Sequence, residues 1–253
     1  MAVRPMPIPV LLYHSISDAP EDSIAPYTVT PDIFERQLDA IVGRRQALTL
    51  SRLAECLAGR AELPESPVVI TFDDGFADNL TVGAPQLASR GLSATVFVTS
   101  GYLDRPGMLT PMQVSELDSA GIEVGAHAHT HRPMDELSIG AAREEILRSK
   151  AALEDILGRA LASFAYPHGY STAAIRTAVR DTGFLSACGV KNALSHAGDD
   201  PWCIARLTVR ADTTMERFEG WLSGDGAPVA WPHEALQTRA WRTARRVRRA
   251  VTG

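Results

Sequence analysis

The chain has 253 residues, 45% hydrophobic and 22% charged, with a net charge of −5, which allows a substantial core and suits one α/β domain better than two. No apolar run approaches the roughly 20 residues of a membrane span, and no repeat stands out at a period of roughly 20–50 residues. Three cysteines, Cys56, Cys188 and Cys203, are an odd number without CxxC spacing, which argues against a disulfide framework or a zinc knuckle and for buried free thiols.

In chain order, residues 1–9 carry three prolines where a signal peptide needs a continuous apolar stretch, so a cytoplasmic location is expected provided Met1 is the true start. Seven short strand-like runs follow, at residues 9–16, 68–72, 94–99, 122–126, 163–166, 185–190 and 204–209. Helical segments separate most of them. Thr30-Pro31 opens one with proline at the first helical position, and Thr110-Pro111 opens another that Gly121 closes. A long helix near residues 138–157 places Ile146, Leu153, Ile156 and Leu157 at helical spacing, and a further one over 172–181 ends at Gly183. Repeated strand-then-helix units with near-continuous apolar strands predict a parallel sheet. Seven of them fit a distorted (β/α) TIM-like barrel of about seven parallel strands better than an open doubly wound sheet. The expected boundaries are a barrel domain over 1–232 and a basic helical tail over 233–253.

Either architecture gathers reactive groups at the carboxyl ends of its strands. His14 follows the first run, Asp73 and Asp74 the second, His127, His129 and His131 the fourth, and His168 the fifth. The pair Asp73-Asp74 ends an apolar run, where adjacent carboxylates repel and push each other's pKa values apart. A metal resolves that conflict by holding one carboxylate as a ligand and leaving the other as a base. Three histidines in five residues point to metal as well. His127 and His131, four apart, share a face if the chain turns helically after the strand, whereas His129 points elsewhere. A calcium loop is excluded by spacing, because counting from Asp73 the sixth and twelfth positions hold Asp78 and Ala84 rather than glycine and glutamate. No GxxxxGK phosphate loop occurs. The turn Tyr166-Pro167-His168-Gly169 is structural punctuation by itself, yet a rigid turn of this kind can aim backbone N–H groups at a developing oxyanion.

The series Thr71-Phe72-Asp73-Asp74-Gly75, His127-x-x-x-His131 and Tyr166-Pro167-His168-Gly169 resembles the polysaccharide deacetylases, carbohydrate esterase family four. Leu12-Tyr13-His14-Ser15-Ile16 is similar to the opening strand of one branch of that family, and the resemblance spans about residues 9–209. It implies a distorted barrel with a divalent metal, most often zinc, held by Asp74, His127 and His131. Asp73 is then the base, and the backbone N–H of His168 faces the oxyanion. The family implies a carbohydrate substrate and hydrolysis of the acetamide of an N-acetylated amino sugar. Two departures stand out. Ala165 occupies the place of an arginine that the family often directs at its base, with Arg206 and Arg210 as candidates to replace it. The late leucine-x-histidine motif that supplies the general acid is also missing, which leaves His14 as first candidate and His196 as second. Tyr102 and Leu103 follow the third strand without a motif. The segment Asp199-Asp200-Pro201-Trp202 is a candidate border of the site, where an aromatic ring could stack on a sugar face, although core packing is the expected role of Trp202.

Six arginines against one glutamate gather in residues 234–253. Trp241, Ala244, Val247 and Val251 recur at helical spacing, so a solvated helix docked on the acidic barrel is expected, with peripheral attachment to an anionic membrane as the sharper alternative. No aromatic-basic groove accompanies the charge, so nucleic acid is not an expected partner. Two other functions remain open on this fold: hydrolysis of another non-peptide C–N bond, and a catalytically silent sugar-binding barrel.

Overall fold

The computed structural model describes residues 7–231. The basic tail expected over 233–253, and with it the domain boundary, lies outside the described residues. Eight parallel strands form the main sheet: β1 (Val10–Tyr13), β2 (Gln46–Leu48), β3 (Pro67–Phe72), β4 (Thr95–Val98), β5 (Glu123–Ala126), β6 (Ser163–Ala165), β7 (Ser186–Cys188) and β8 (Leu207–Thr208). Seven of them run in the order β7-β6-β5-β4-β3-β1-β8, and β2 pairs with β3 off this path. The sheet curls until its ends meet. Cys188 at the end of β7 bridges Ile204, and the same segment reaches β1 through Leu207 and Thr208. The closure is therefore one bridge wide, which makes this a distorted barrel rather than a full ring of ladders.

Among the described residues there are seven α-helices: α1 (Pro31–Ile41), α2 (Leu50–Leu57), α3 (Ala84–Ala88), α4 (Pro111–Ser119), α5 (Ile139–Leu157), α6 (Ala173–Asp181) and α7 (Met215–Leu222). All but α3 start at a Thr or Ser whose hydroxyl accepts the N–H three residues on, and in α4 the Thr110 N–H donates reciprocally to Gln113 Oε1. These caps explain why the Thr30-Pro31 and Thr110-Pro111 signals were readable. The elements β2, α2, α3 and α7 were not anticipated.

Period-two alternation divides the sheet's side chains between two cores. Leu11, Tyr13, Ile70, Phe72, Val96, Val98, Val124, Ala126, Phe164 and Ala187 pack outward among the helices. Val10, Val69, Phe97, Ala165, Cys188 and Ile204 face the other way, into the curl. Leu50 and Leu53 of α2 join that inner cluster together with Leu48 of β2. The Leu50 N–H donates to Thr95 Oγ1 at the start of β4, so this unexpected hairpin of β2 and α2 fills the amino end of the barrel. The carboxyl end is left for polar residues. Among the described residues, no helix is long and apolar enough to cross a membrane.

Candidate active site

Asp73 continues the inward parity of Val69 and Thr71, and it is buried. Its backbone N–H donates to the Tyr13 carbonyl at 2.9 Å, which sets it level with the end of β1 and with His14. Along a regular strand Asp74 would point to the opposite face. It does not continue the strand, because its φ is 73° and that of Gly75 is 85°. This left-handed step turns the second carboxylate back over the barrel mouth, and such strain in a non-glycine residue is held by surrounding structure at functional sites. The Asp74 carbonyl accepts from the Thr99 N–H, while a Cβ at Gly75 would lie 3.2 Å from Val98. Local packing thus fixes the turn.

The two histidines reach Asp74 from the end of β5. His131 Nε2 lies 3.0 Å and His127 Nε2 3.5 Å from Asp74 Oδ1, and His127 Nε2 is 3.7 Å from Asp73 Oδ2. They meet by a route other than the helical turn expected from their spacing: Ala128 and His131 are both left-handed at φ 59°, and the intervening segment is an irregular turn. His129 points away, as expected, its Nδ1 lying 2.9 Å from Ser100 Oγ. His127 is completely enclosed and its Nδ1 is 2.8 Å from the Ala165 carbonyl. Since a carbonyl only accepts, the proton sits on Nδ1 and the Nε2 lone pair faces the site.

Charge and burial sort these groups. Burial pushes His127 down to about 4, against the attraction of Asp73, so the ring is neutral at neutral pH. Burial also opposes protonation of His131, but the hydrogen bond and charge of Asp74 outweigh it and lift its pKa above the ordinary value. For Asp74 burial works upward, and the bond to His131 with the charges of the nearby histidines carries the group well below the carboxylate range. Asp74 Oδ1 is buried, with only the imidazole nitrogens of His131 and His127 set against it among the described residues. An ionised carboxylate oxygen facing two imidazole nitrogens is a donor set that suits a divalent cation, and the three ligand atoms lie within 4.8 Å of one another. The residues fit the group.

Arg206 holds the other carboxylate. From the segment that closes the barrel its Nη1 and Nη2 donate to Asp73 Oδ1 and Oδ2, both at 2.7 Å, with Nε donating to the Gly189 carbonyl at 3.0 Å. The guanidinium is fully buried, 5.6 Å above the Phe97 ring. Of the two candidates to replace the arginine absent at Ala165, the structure selects Arg206. Arg210 instead stacks on Tyr27 at 4.7 Å and pairs with Asp212. The parity of residues 204 and 206 with the inner core was the available signal, but it required knowing that this segment closes the barrel.

His14 stands where β1 breaks, and Ser15–Ile16 leaves to pair with Thr28–Val29 in a separate small sheet. Its Nδ1 is buried without a hydrogen-bond partner, and burial pushes its pKa below the ordinary value against the opposing charges of Asp74 and Asp73. His196 is elsewhere. It pairs with Pro7 at the amino end of β1, its Nε2 donates to the Ala230 carbonyl and its Nδ1 accepts from Gly198, so both ring nitrogens serve the backbone. Asp199 is likewise structural, bound by Lys191, Ser195 and the Ala205 N–H, and Trp202 packs beside the core and bonds the Phe184 carbonyl. His168 occupies the turn Pro167–Gly169 at φ 57°, with its ring 4.6 Å from that of His131. Tyr102 borders the same histidine, ring to ring at 5.9 Å.

An aspartate clamped by arginine, beside an Asp-His-His cluster at the mouth of a curled parallel sheet, defines a class of hydrolytic site. The profile of the polysaccharide deacetylase family matches residues 60–187, and the chain belongs to that family. It is thereby a hydrolase of non-peptide carbon–nitrogen bonds, an N-deacetylase. Among individual proteins it is 27% identical over 213 residues to Bacillus subtilis (strain 168) YxkH, described as a candidate polysaccharide deacetylase, covering 84% of this chain and 74% of that one. The structure of IcaB from Ammonifex degensii superposes with a TM-score of 0.75 at 27% identity, over 87% of this chain and 97% of that one. The Streptococcus pyogenes deacetylase PplD, solved with acetate, shares the fold with a TM-score of 0.77 at 22% identity, covering 84% of this chain and 96% of PplD.

Proposed function

We propose that this chain is a metal-dependent deacetylase that hydrolyses the acetamide of an N-acetylated amino sugar, whether free, nucleotide-linked, lipid-linked or within a glycan. The observation that carries the reading is the Asp74, His127 and His131 cluster set directly against an Asp73 that is kept ionised by Arg206. Two imidazoles and one carboxylate favour zinc. A divalent cation held by Asp74, His127 and His131 would supply a water molecule acidified toward neutral pH.

The chain's own residues supply the remaining steps. Asp73 Oδ2, on the side of the carboxylate nearest His127, accepts the proton released as the water attacks the acetamide carbonyl. Arg206 keeps that carboxylate oriented and prevents its neutralisation by burial. The backbone N–H of His168, in a turn fixed by Pro167 and Gly169, donates to the tetrahedral oxyanion. His14 delivers a proton to the departing amine, a role supported by its unpartnered ring nitrogen at the mouth. The acetate found with PplD is the product expected here. The clamp by Arg206 also makes good the arginine missing at Ala165, one of the two departures from the family pattern that would favour a silent sugar-binding barrel.

The test is zinc content and product release for the wild type and Asp74→Ala, with N-acetylated and N-formylated amino sugars as substrates. Loss of both metal and acetate in the variant is expected; acetate release that persists without metal sinks the mechanism, and formate release alone selects a different C–N bond. The cytoplasmic location expected from the sequence is checked by cell fractionation. Contact of the basic C-terminal segment with an anionic membrane is checked by liposome co-sedimentation of the chain with and without it.

A further inference from the structure

The turn that carries the two ligand histidines is held from both sides. Its carbonyls face the segment that follows β4: those of His127, Ala128 and His129 accept from Thr99 Oγ1 at 3.3 Å, the Ser100 N–H at 3.3 Å and the Gly101 N–H at 2.9 Å. A Cβ on Gly101 would stand 2.4 Å from the His129 carbonyl oxygen, so that approach requires glycine. Its N–H groups face the other way. Those of His129 and Thr130 both donate to Oε2 of Glu145 on α5, at 3.0 and 2.7 Å, and Thr130 Oγ1 donates to Oε1 at 2.7 Å. One carboxylate thus takes three donors from two consecutive residues immediately before His131. Charge-assisted bonds of this kind are the strong members of their class. The turn needs them, because Ala128 and His131 adopt a left-handed backbone that side chains disfavour.

We propose that Glu145 is a positioning residue for the metal centre: from α5 its carboxylate sets the turn that presents His131 Nε2 to Asp74 before a cation arrives. The helix packs against both β5 and the turn Ser100–Tyr102, so it is a rigid platform for that carboxylate. Glu145 itself touches neither cation nor substrate. The inference rests on Asp74, His127 and His131 being the metal ligands, and it adds that their spacing is imposed by a residue outside the recognised motifs. Support from groups behind the ligands commonly contributes tenfold to a hundredfold in metal affinity.

The experiment measures zinc affinity of the full-length apo-protein by competition with a chromophoric chelator, for the wild type, Glu145→Ala, Glu145→Gln and Glu145→Asp. Alanine is expected to weaken zinc binding by about tenfold to a hundredfold, and to speed hydrogen exchange at the His129 and Thr130 amides in the metal-free state. Glutamine restores most of the affinity, since its Oε1 can accept both N–H groups while its amide donates to Thr130 Oγ1. Aspartate keeps the charge and the helix but withdraws the carboxylate by one methylene, and it stands in for alanine if that variant does not fold. Wild-type affinity in the alanine or aspartate variant overturns the proposal, as does an equal loss with glutamine, which would make charge rather than hydrogen bonding the cause. A wild type that takes up no zinc defeats the metal reading instead. In that case the amide exchange of the variants still decides the role of Glu145, and unchanged protection at His129 and Thr130 refutes it.

Discussion

Replacing Arg206 with methionine keeps most of the volume beside Phe97 and removes the guanidinium from a buried carboxylate. In the wild type, burial pushes the Asp73 pKa up. The charge and bonds of Arg206, helped by His127, outweigh that effect and hold it below the ordinary value. Breaking a buried ion pair from one side costs about 3–5 kcal/mol, because the surviving charge is left without compensation. At about 2–4 °C per kcal/mol for a chain of this size, the thermal midpoint of the metal-free protein should fall by about 6–20 °C at pH 7. The sign of the pH dependence distinguishes this cause from simple loss of packing. A carboxylate with a depressed pKa stabilises the wild type above its unfolded pKa, and that stability is lost as pH falls through the folded value. In Arg206→Met the folded pKa of Asp73 rises instead, so its burden is greatest near neutrality and is relieved by protonation in acid. The gap between the two proteins therefore narrows as pH falls. Calorimetry across pH 4–8, a range of about four units, measures it. The acid limb of kcat/KM should move to higher pH, because the base must be ionised. Asp73→Asn in the Arg206→Met background should recover part of the lost stability. A midpoint within about 2 °C of the wild type at pH 7, together with an unmoved acid limb, would refute the clamp.

Two further substitutions probe the mouth and the floor of the barrel. His14→Asn should lower kcat by about 100- to 1,000-fold while leaving zinc content and KM near wild type; a wild-type kcat removes His14 from the role of acid. Gly125→Ala introduces a Cβ 2.5 Å from the Phe97 ring and 2.7 Å from Ser163 Oγ, in an interior with no flexible end to yield. That overpacking should cost about 1–3 kcal/mol and appear as a lower thermal midpoint. An unchanged midpoint would mean that the inner core is looser than its contacts indicate.

All seven anticipated strand runs are present, and the residues at their carboxyl ends do converge, because apolar runs and threonine-proline helix starts are local signals. What was hidden depends on contacts between distant segments. Arg206 and Asp73 are 133 positions apart, and nothing near either residue names its partner. Residues 46–57 lack a long apolar run, so the local signals for the hairpin that fills the barrel floor are the Thr49 cap and the helical spacing of Leu50, Leu53, Ala54 and Leu57, neither of which says that it turns into the barrel. His14 and His196 look equivalent as lone histidines, and only their placement at opposite ends of β1 separates a ring with a buried unpartnered nitrogen from one bound to backbone on both sides.

The same limit explains why two adjacent aspartates can perform different tasks. Strand parity decides that Asp73 faces inward, where only Arg206 makes its charge tolerable. Parity alone would send Asp74 among the outward apolar side chains, next to Phe72 and Val98, where no ligand could be shared with His127 and His131. The left-handed step at Asp74, followed by the one at Gly75, breaks that alternation at the second residue beyond the strand. A non-glycine residue gives up about 1–2 kcal/mol in that conformation, and the return is a second carboxylate on the same side as the first. The repulsion that the pair would suffer is divided rather than removed. Asp73 is compensated by a guanidinium from below, and Asp74 by the hydrogen bond to His131 beside it. In the proposed mechanism, dividing the compensation in this way would leave Asp73 ionised yet unattached to a cation, the two properties that its proposed role as base requires and that a carboxylate pair sharing one counter-charge would not provide.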